Sequence, residues 1–99
     1  MEQFHIETYT MPVGCTAWIT ENIFTPSQDE EQVYNRWQGI VREIGRDYPR
    51  AKIRRTMARR TAKQAFCDRE SSICSREWTL PDGEGCYRVT MYVTETKAA

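Results

Sequence analysis

Ninety-nine residues, 39% hydrophobic and 28% charged, make one domain with a thin margin for an apolar core, which excludes a multidomain machine. Acids and bases balance at fourteen each, so a uniformly basic or acidic chain is excluded too. The charge is nonetheless blocked: residues 1–49 hold eight acids and three bases, 50–66 seven bases and no acid, and 67–99 six acids and four bases, which predicts a basic face on an otherwise acidic body.

The N-terminus, MEQFHIETYT, carries neither the basic region nor the apolar run of a signal peptide. No apolar window approaches the length that spans a bilayer. A soluble, cytoplasmic protein without a membrane partner is expected. In that compartment Cys15, Cys67, Cys74 and Cys86 are expected as reduced, partly buried thiols. Two alternatives remain: a Cys67–Cys74 disulfide, or zinc held by Cys67, Cys74, Cys86 and either Cys15 or His5. The spacing lacks the paired C-x-x-C of structural zinc sites, so neither metal nor cofactor is expected.

In chain order, Phe4, Ile6 and Thr8 alternate with His5, Glu7 and Tyr9, the period of a strand. A turn at Pro12-Val13-Gly14 leads to a second strand, in which Cys15, Ala17 and Ile19 alternate with Thr16, Trp18 and Thr20. The two are expected to pair as a hairpin, with Asn22 to Phe24 leading onward. The stretch Thr25–Gly45 then reads as the central helix. Val33, Tyr34, Trp37, Ile40, Val41 and Ile44 form one stripe at 3.6 residues per turn. Two overlapping capping boxes, Thr25 with Gln28 and Ser27 with Glu30, mark its start. Asp29, Glu30 and Glu31 suit the positive end of the helix dipole, Gly45 a left-handed cap, and Pro49 a stop.

Beyond Pro49, a strand over roughly 51–58 and a short helical or irregular piece over 61–69 are expected, with a single second helix over 51–66 as the alternative. Around Asp82-Gly83 the alternation of Cys74, Arg76, Trp78 and Leu80 meets that of Tyr87, Val89, Met91 and Val93. Facing residues whose numbers sum to 165 set Trp78 against Tyr87, Arg76 against Val89 and Cys74 against Met91 on one face. On the other they set Glu77 against Arg88, as an ion pair, and Ser75 against Thr90. Cys74 and Cys86 then lie on opposite faces. The tail Thr96–Ala99 is expected to fray. The fold class is α+β: an antiparallel sheet of four or five strands with one long amphipathic helix on one face, in the order ββα(β)ββ.

No catalytic constellation stands out. His5 is the only histidine, and a solvated strand position explains it; the acidic run 29–31 is explained by the helix dipole. No phosphate-binding glycine loop occurs. The strongest functional signal is the basic block. Arg54, Arg55, Arg59, Arg60 and Lys63, with Arg50 and Lys52, form a run that can grip a phosphate backbone or an acidic protein groove. The plain alternative is a solvated face paired with the acidic helix. No aromatic is interleaved before Phe66, which weakens a single-strand stacking role. Trp18 and Tyr92 fall on the outer sheet face, as a partner patch or under another element.

In general character the chain resembles the anti-CRISPR proteins, small phage-encoded inhibitors of bacterial defence. The likeness rests on the capped helix Thr25–Gly45, the Asp82-Gly83 hairpin and the Arg/Lys block 50–63. It implies a non-enzymatic inhibitor, acting in the bacterial host cell. Its partner would be a CRISPR–Cas effector complex, blocked through protein contacts with or without contact to the guide RNA. A small nucleic-acid-binding regulatory module is the alternative.

Overall fold

A five-stranded antiparallel sheet and one long helix dominate residues 1–95, the residues that this computed structural model describes. The expectation for Thr96–Ala99 lies outside them. The elements are β1 (Glu2–Met11), β2 (Ile19–Ile23), α1 (Glu30–Asp47), β3 (Lys52–Met57), α2 (Ala62–Ala65), β4 (Ser72–Thr79) and β5 (Cys86–Glu95). Their sheet order is β2-β1-β5-β4-β3. The first and last strands pair at the centre, from Glu2 opposite Glu95 to Met11 opposite Cys86. Helix α1 packs across β1 and β5 and carries the chain from one sheet edge to the other. The α+β fold is the expected one, with β3 as the optional strand.

The stripe on α1 is what holds the layers together. Val33, Trp37 and Ile44 are buried against Phe4 and Ile6 of β1, Cys74 and Trp78 of β4, and Val89, Met91 and Val93 of β5. Tyr34, Ile40 and Val41 flank them, partly buried. Burying each large apolar side chain contributes about 1.5–3 kcal/mol. Trp37 also donates its indole N–H to the Val89 carbonyl at 3.1 Å, so its one polar atom enters the core satisfied.

The helix begins later than the capping boxes suggest. Phe24 donates its backbone N–H to the Ile6 carbonyl, and Phe4 and Ser27 exchange two backbone bonds. The chain therefore stays extended along β1 through Ser27. Asp29 becomes the N-cap, accepting from Gln32 N at 3.1 Å, while Ser27 Oγ accepts from Asp29 N. Glu30 and Glu31 keep their place in the first turn. At the other end Gly45 is an ordinary helical residue. The helix runs on to Asp47 and ends at Tyr48, next to Pro49.

The second strand is also displaced. Gly14 takes a positive φ of 84° and Cys15 N bonds Pro12 O, closing the expected turn. Residues 15–18 then stay irregular, and β2 spans Ile19–Ile23 with a bulge opposite Thr8/Tyr9. This edge strand, exposed throughout, is placed by its ladder to β1 rather than by burial.

The register of the last hairpin is as expected: Trp78 faces Tyr87, Glu77 faces Arg88, Arg76 faces Val89, Ser75 faces Thr90 and Cys74 faces Met91. Its tip is wider than a two-residue turn. Leu80 N bonds Gly85 O at 2.8 Å across a loop in which Asp82 and Gly83 both take positive φ. Beyond Cys74 a bulge leaves Ser72 opposite Tyr92 and sends Ile73 into the core. Over 51–66 the strand-then-short-helix reading holds, with Thr61 and Gln64 forming a reciprocal capping box on α2.

Two glycines separate these accounts in solution. At Gly85 (φ +94°) a Cβ would stand 2.3 Å from the Met11 carbonyl oxygen, whereas at Gly45 it would meet nothing within 4 Å. Gly85→Ala is expected to destabilise by about 2 kcal/mol or more. Gly45→Ala, inside a helix, is expected to stabilise by about 0.5–1 kcal/mol. Urea denaturation measures both, and a loss of stability in Gly45→Ala would restore its role as a left-handed cap.

Candidate functional site

The basic block is divided by the fold into two sets with different work. Arg59 reaches the N-terminus of α1, pairing with Glu30 at 3.1 Å and with Glu31, its guanidinium 4.1 Å over the Tyr34 ring. The hydrogen bond to Glu31 raises the Arg59 pKa further, and the same bond lowers that of Glu31. Arg60 donates from Nε to the Ser72 carbonyl at 2.6 Å and from Nη2 to Asp68 at 2.7 Å, while its backbone N–H bonds Ile73 O. That side-chain bond draws the Asp68 carboxyl below its usual range. Arg59 thus staples the chain after β3 to the helix, and Arg60 closes the 60–72 loop on β4. For Arg59, the plain reading of cations paired with the acidic helix is what the geometry gives.

The second set stays displayed. β3 is an edge strand, and Lys52, Ile53, Arg54, Arg55 and Thr56 are all exposed. Lys52, Arg55 and Lys63 have no hydrogen bond or ion pair through their side chains among the described residues. Arg54 makes only a long contact, 3.5 Å, to Cys86 Sγ. Arg50, just before β3, sits 3.6 Å from Asp82 with both side chains mostly exposed. Arg54, Arg55 and Lys63 of the expected site residues therefore face solvent, and Arg59 and Arg60 are engaged internally.

The other feature is the sheet face away from α1. Among the described residues no second long helix covers it, so its polar side chains settle against one another. Tyr9 and Tyr92 share a hydroxyl–hydroxyl bond of 2.5 Å, and burial is the main cause that raises both phenol pKa values. His5 is not solvated as expected; it bonds Glu7 at 2.8 Å and stacks on Tyr92, with ring centroids 5.4 Å apart. Ser75 and Thr90 hydroxyls lie 2.8 Å apart. The expected Glu77–Arg88 ion pair does not form, although the two face each other in register. Arg88 lies instead over two rings, 4.2 Å from Tyr9 and 4.9 Å from Trp18. Trp18 and Tyr92 are thereby both packed against neighbours of the outer face. Beside them a cavity of about 260 Å³ opens between this face and the 60–72 loop. Sequence reasoning accounted for Glu77 and Arg88 as partners, so their part in this cavity went unseen; Asp68 and Glu70 join it only through the folding of the loop.

The thiols are not gathered. Cys74 is buried under the helix, Cys86 is half-buried near the hairpin tip, and Cys15 and Cys67 are exposed; all four are free. Among the described residues no three His, Cys, Asp or Glu side chains come together as a metal-holding group. None of the described helices is long and apolar enough to cross a membrane.

Burial pushes the Cys74 thiol up to about 12. With a thiol reagent at mildly alkaline pH, Cys15 and Cys67 are expected to react first and Cys74 only as the chain unfolds. The stabilisation linked to its neutral thiol is fully present below the ordinary thiol range, about 8.5, and is lost as pH rises toward 12. Mass spectrometry of timed labelling checks the order, and early labelling of Cys74 would contradict its placement.

No protein-family model matches the chain, and neither a curated protein nor a solved structure does.

Proposed function

We propose that the chain is a non-enzymatic binding protein that inhibits its partner by docking the cationic edge strand β3 on an acidic protein or ribonucleoprotein surface. The observation that carries this reading is the exposed run Lys52–Thr56, which presents three cations at a sheet edge without a compensating carboxylate within pairing distance among the described residues. Charges placed in this way steer encounter and select a partner of opposite sign. Arg54 and Arg55 add bidentate donors suited to carboxylates and phosphates. Lys63 on α2 is a further exposed cation without a side-chain partner among the described residues. Lysine and arginine on an edge also deter strand-to-strand aggregation, so the same residues protect the free protein. A CRISPR–Cas effector complex with its guide RNA is the partner that the resemblance implies, and it presents both kinds of anionic group.

A second reading, a nucleic-acid-binding regulatory module, is favoured by the guanidinium content of the same strand. It requires affinity to fall steeply with salt, in step with the phosphates neutralised.

The test compares wild type with Lys52→Ala/Arg54→Ala/Arg55→Ala as bait in bacterial lysate, with and without nuclease, read by mass spectrometry. Wild type is expected to retain one assembly after nuclease treatment. The triple variant is expected to bind it about threefold to 150-fold more weakly, given about 0.2–1 kcal/mol for each of three exposed charge pairs. Equal retention by both overturns the reading, and loss on nuclease treatment with recovery of nucleic acid alone selects the second. Arg59→Ala is expected to do the reverse of the triple variant, lowering the urea midpoint while leaving retention intact.

A further inference from the structure

We propose that the cavity between the outer sheet face and the 60–72 loop binds a small zwitterion of the amino-acid class. Its amino group would sit at Glu77 and Glu70, and its carboxylate at Arg55 and Arg88. The loop side of the cavity is already satisfied internally. Arg60 is committed to Asp68 and to the Ser72 carbonyl, and Asp68 also accepts from Glu70 N at 3.2 Å. The floor hydroxyls of Ser75 and Thr90 bond each other. What is left around the cavity is two carboxylates and two guanidiniums, Glu70, Glu77, Arg55 and Arg88, and no two of the four pair with each other.

Glu77 is the most telling of these. It is only 8% exposed, lines the cavity, and its side chain has no hydrogen-bond or ionic partner among the described residues. Its strand neighbours are Arg55 on β3 and Arg88 on β5. A carboxylate flanked by two guanidiniums would ordinarily close on one of them, and Glu77 instead keeps its oxygens accessible at the cavity. Arg88 is held away by the Tyr9 and Trp18 rings, and its Nε is buried without a partner. The space that separates these groups measures about 260 Å³, somewhat below the usual range for drug-sized ligands and suited to a small polar molecule. A ligand of one sign would satisfy one pair and repel the other. A zwitterion matches both pairs and leaves the local charge unchanged.

Calorimetry on the full chain tests this with L-glutamine, L-serine and L-arginine, and with methylammonium and inorganic phosphate as the two half-ligands. At least one amino acid is expected to bind saturably at one site, more tightly than either half-ligand. Glu77→Gln is expected to weaken it at least tenfold and to leave the protein as stable as wild type or more so. Arg55→Gln, on an exposed strand, is expected to weaken it similarly, and it decides the matter should Glu77→Gln fail to fold. Arg42→Gln, on the exposed side of α1, should change nothing. Absence of saturable binding by all three amino acids overturns the proposal, as does binding unaltered in the Glu77 and Arg55 variants. Phosphate binding as tightly as the amino acids would overturn it in favour of a plain anion site. The β3 docking reading does not depend on Glu77, so a failure here leaves that reading where it stands.

Discussion

Everything else in the molecule depends on the seat of Trp37 on the central strands. Its ring fills the space above β1 and β5, and its indole N–H finds the Val89 carbonyl, so a large side chain is buried with no polar atom stranded. Because the first and last strands lie side by side beneath it, this one contact joins the two ends of the chain to the middle of the sequence. The constraint also explains why the sheet is two-sided in character. One helix can cover only one face, so Phe4, Ile6, Val89, Met91 and Val93 point toward α1. The opposite face carries His5, Glu7, Tyr9, Glu77, Arg88, Thr90 and Tyr92.

That uncovered face is neither an open polar surface nor a core. Hydroxyls pair with hydroxyls, His5 with Glu7, and Arg88 with aromatic rings. The loop fastened by Arg60 shields part of it from water. Low exposure raises the stakes for each polar group there, since an unpaired one loses its hydration without recovering a bond. The partners are mostly found laterally within the sheet; the Glu77 carboxylate and the buried Arg88 Nε are left without one among the described residues.

The basic block shows how one stretch of like charges can serve two ends. Arg59 and Arg60 follow the strand, where the chain turns back toward acidic neighbours, and there they close ion pairs that fix the loop and the helix start. The cations within β3 lie at a sheet edge, which has a neighbour on one side only, and they remain in solvent. Arg55 belongs to both settings, displayed on the edge strand and bordering the cavity. A partner gripping β3 and a small molecule in the cavity would therefore meet at one side chain.

The sequence by itself determined whatever depends on local periodicity: the α1 stripe, the alternation of β1, and the register of the last hairpin, where a slip by one residue would have turned Trp78 away from Tyr87. Contacts between segments distant in the chain decided the rest. The helix start moved from Thr25 or Ser27 to Asp29 because residues 24–27 are held extended by β1, a bond pattern that no capping rule contains. The second strand moved to Ile19–Ile23 because an edge strand exposed along its whole length carries no burial pattern to read. For the site, sequence located the cations but not their division, since Arg54 and Arg59 are chemically alike and differ only in what the fold brings near them. Glu77 and Arg88 were legible as cross-strand neighbours. Register sets which residues face each other, and only the packing of Tyr9 and Trp18 on Arg88 decided that the pair would stay apart.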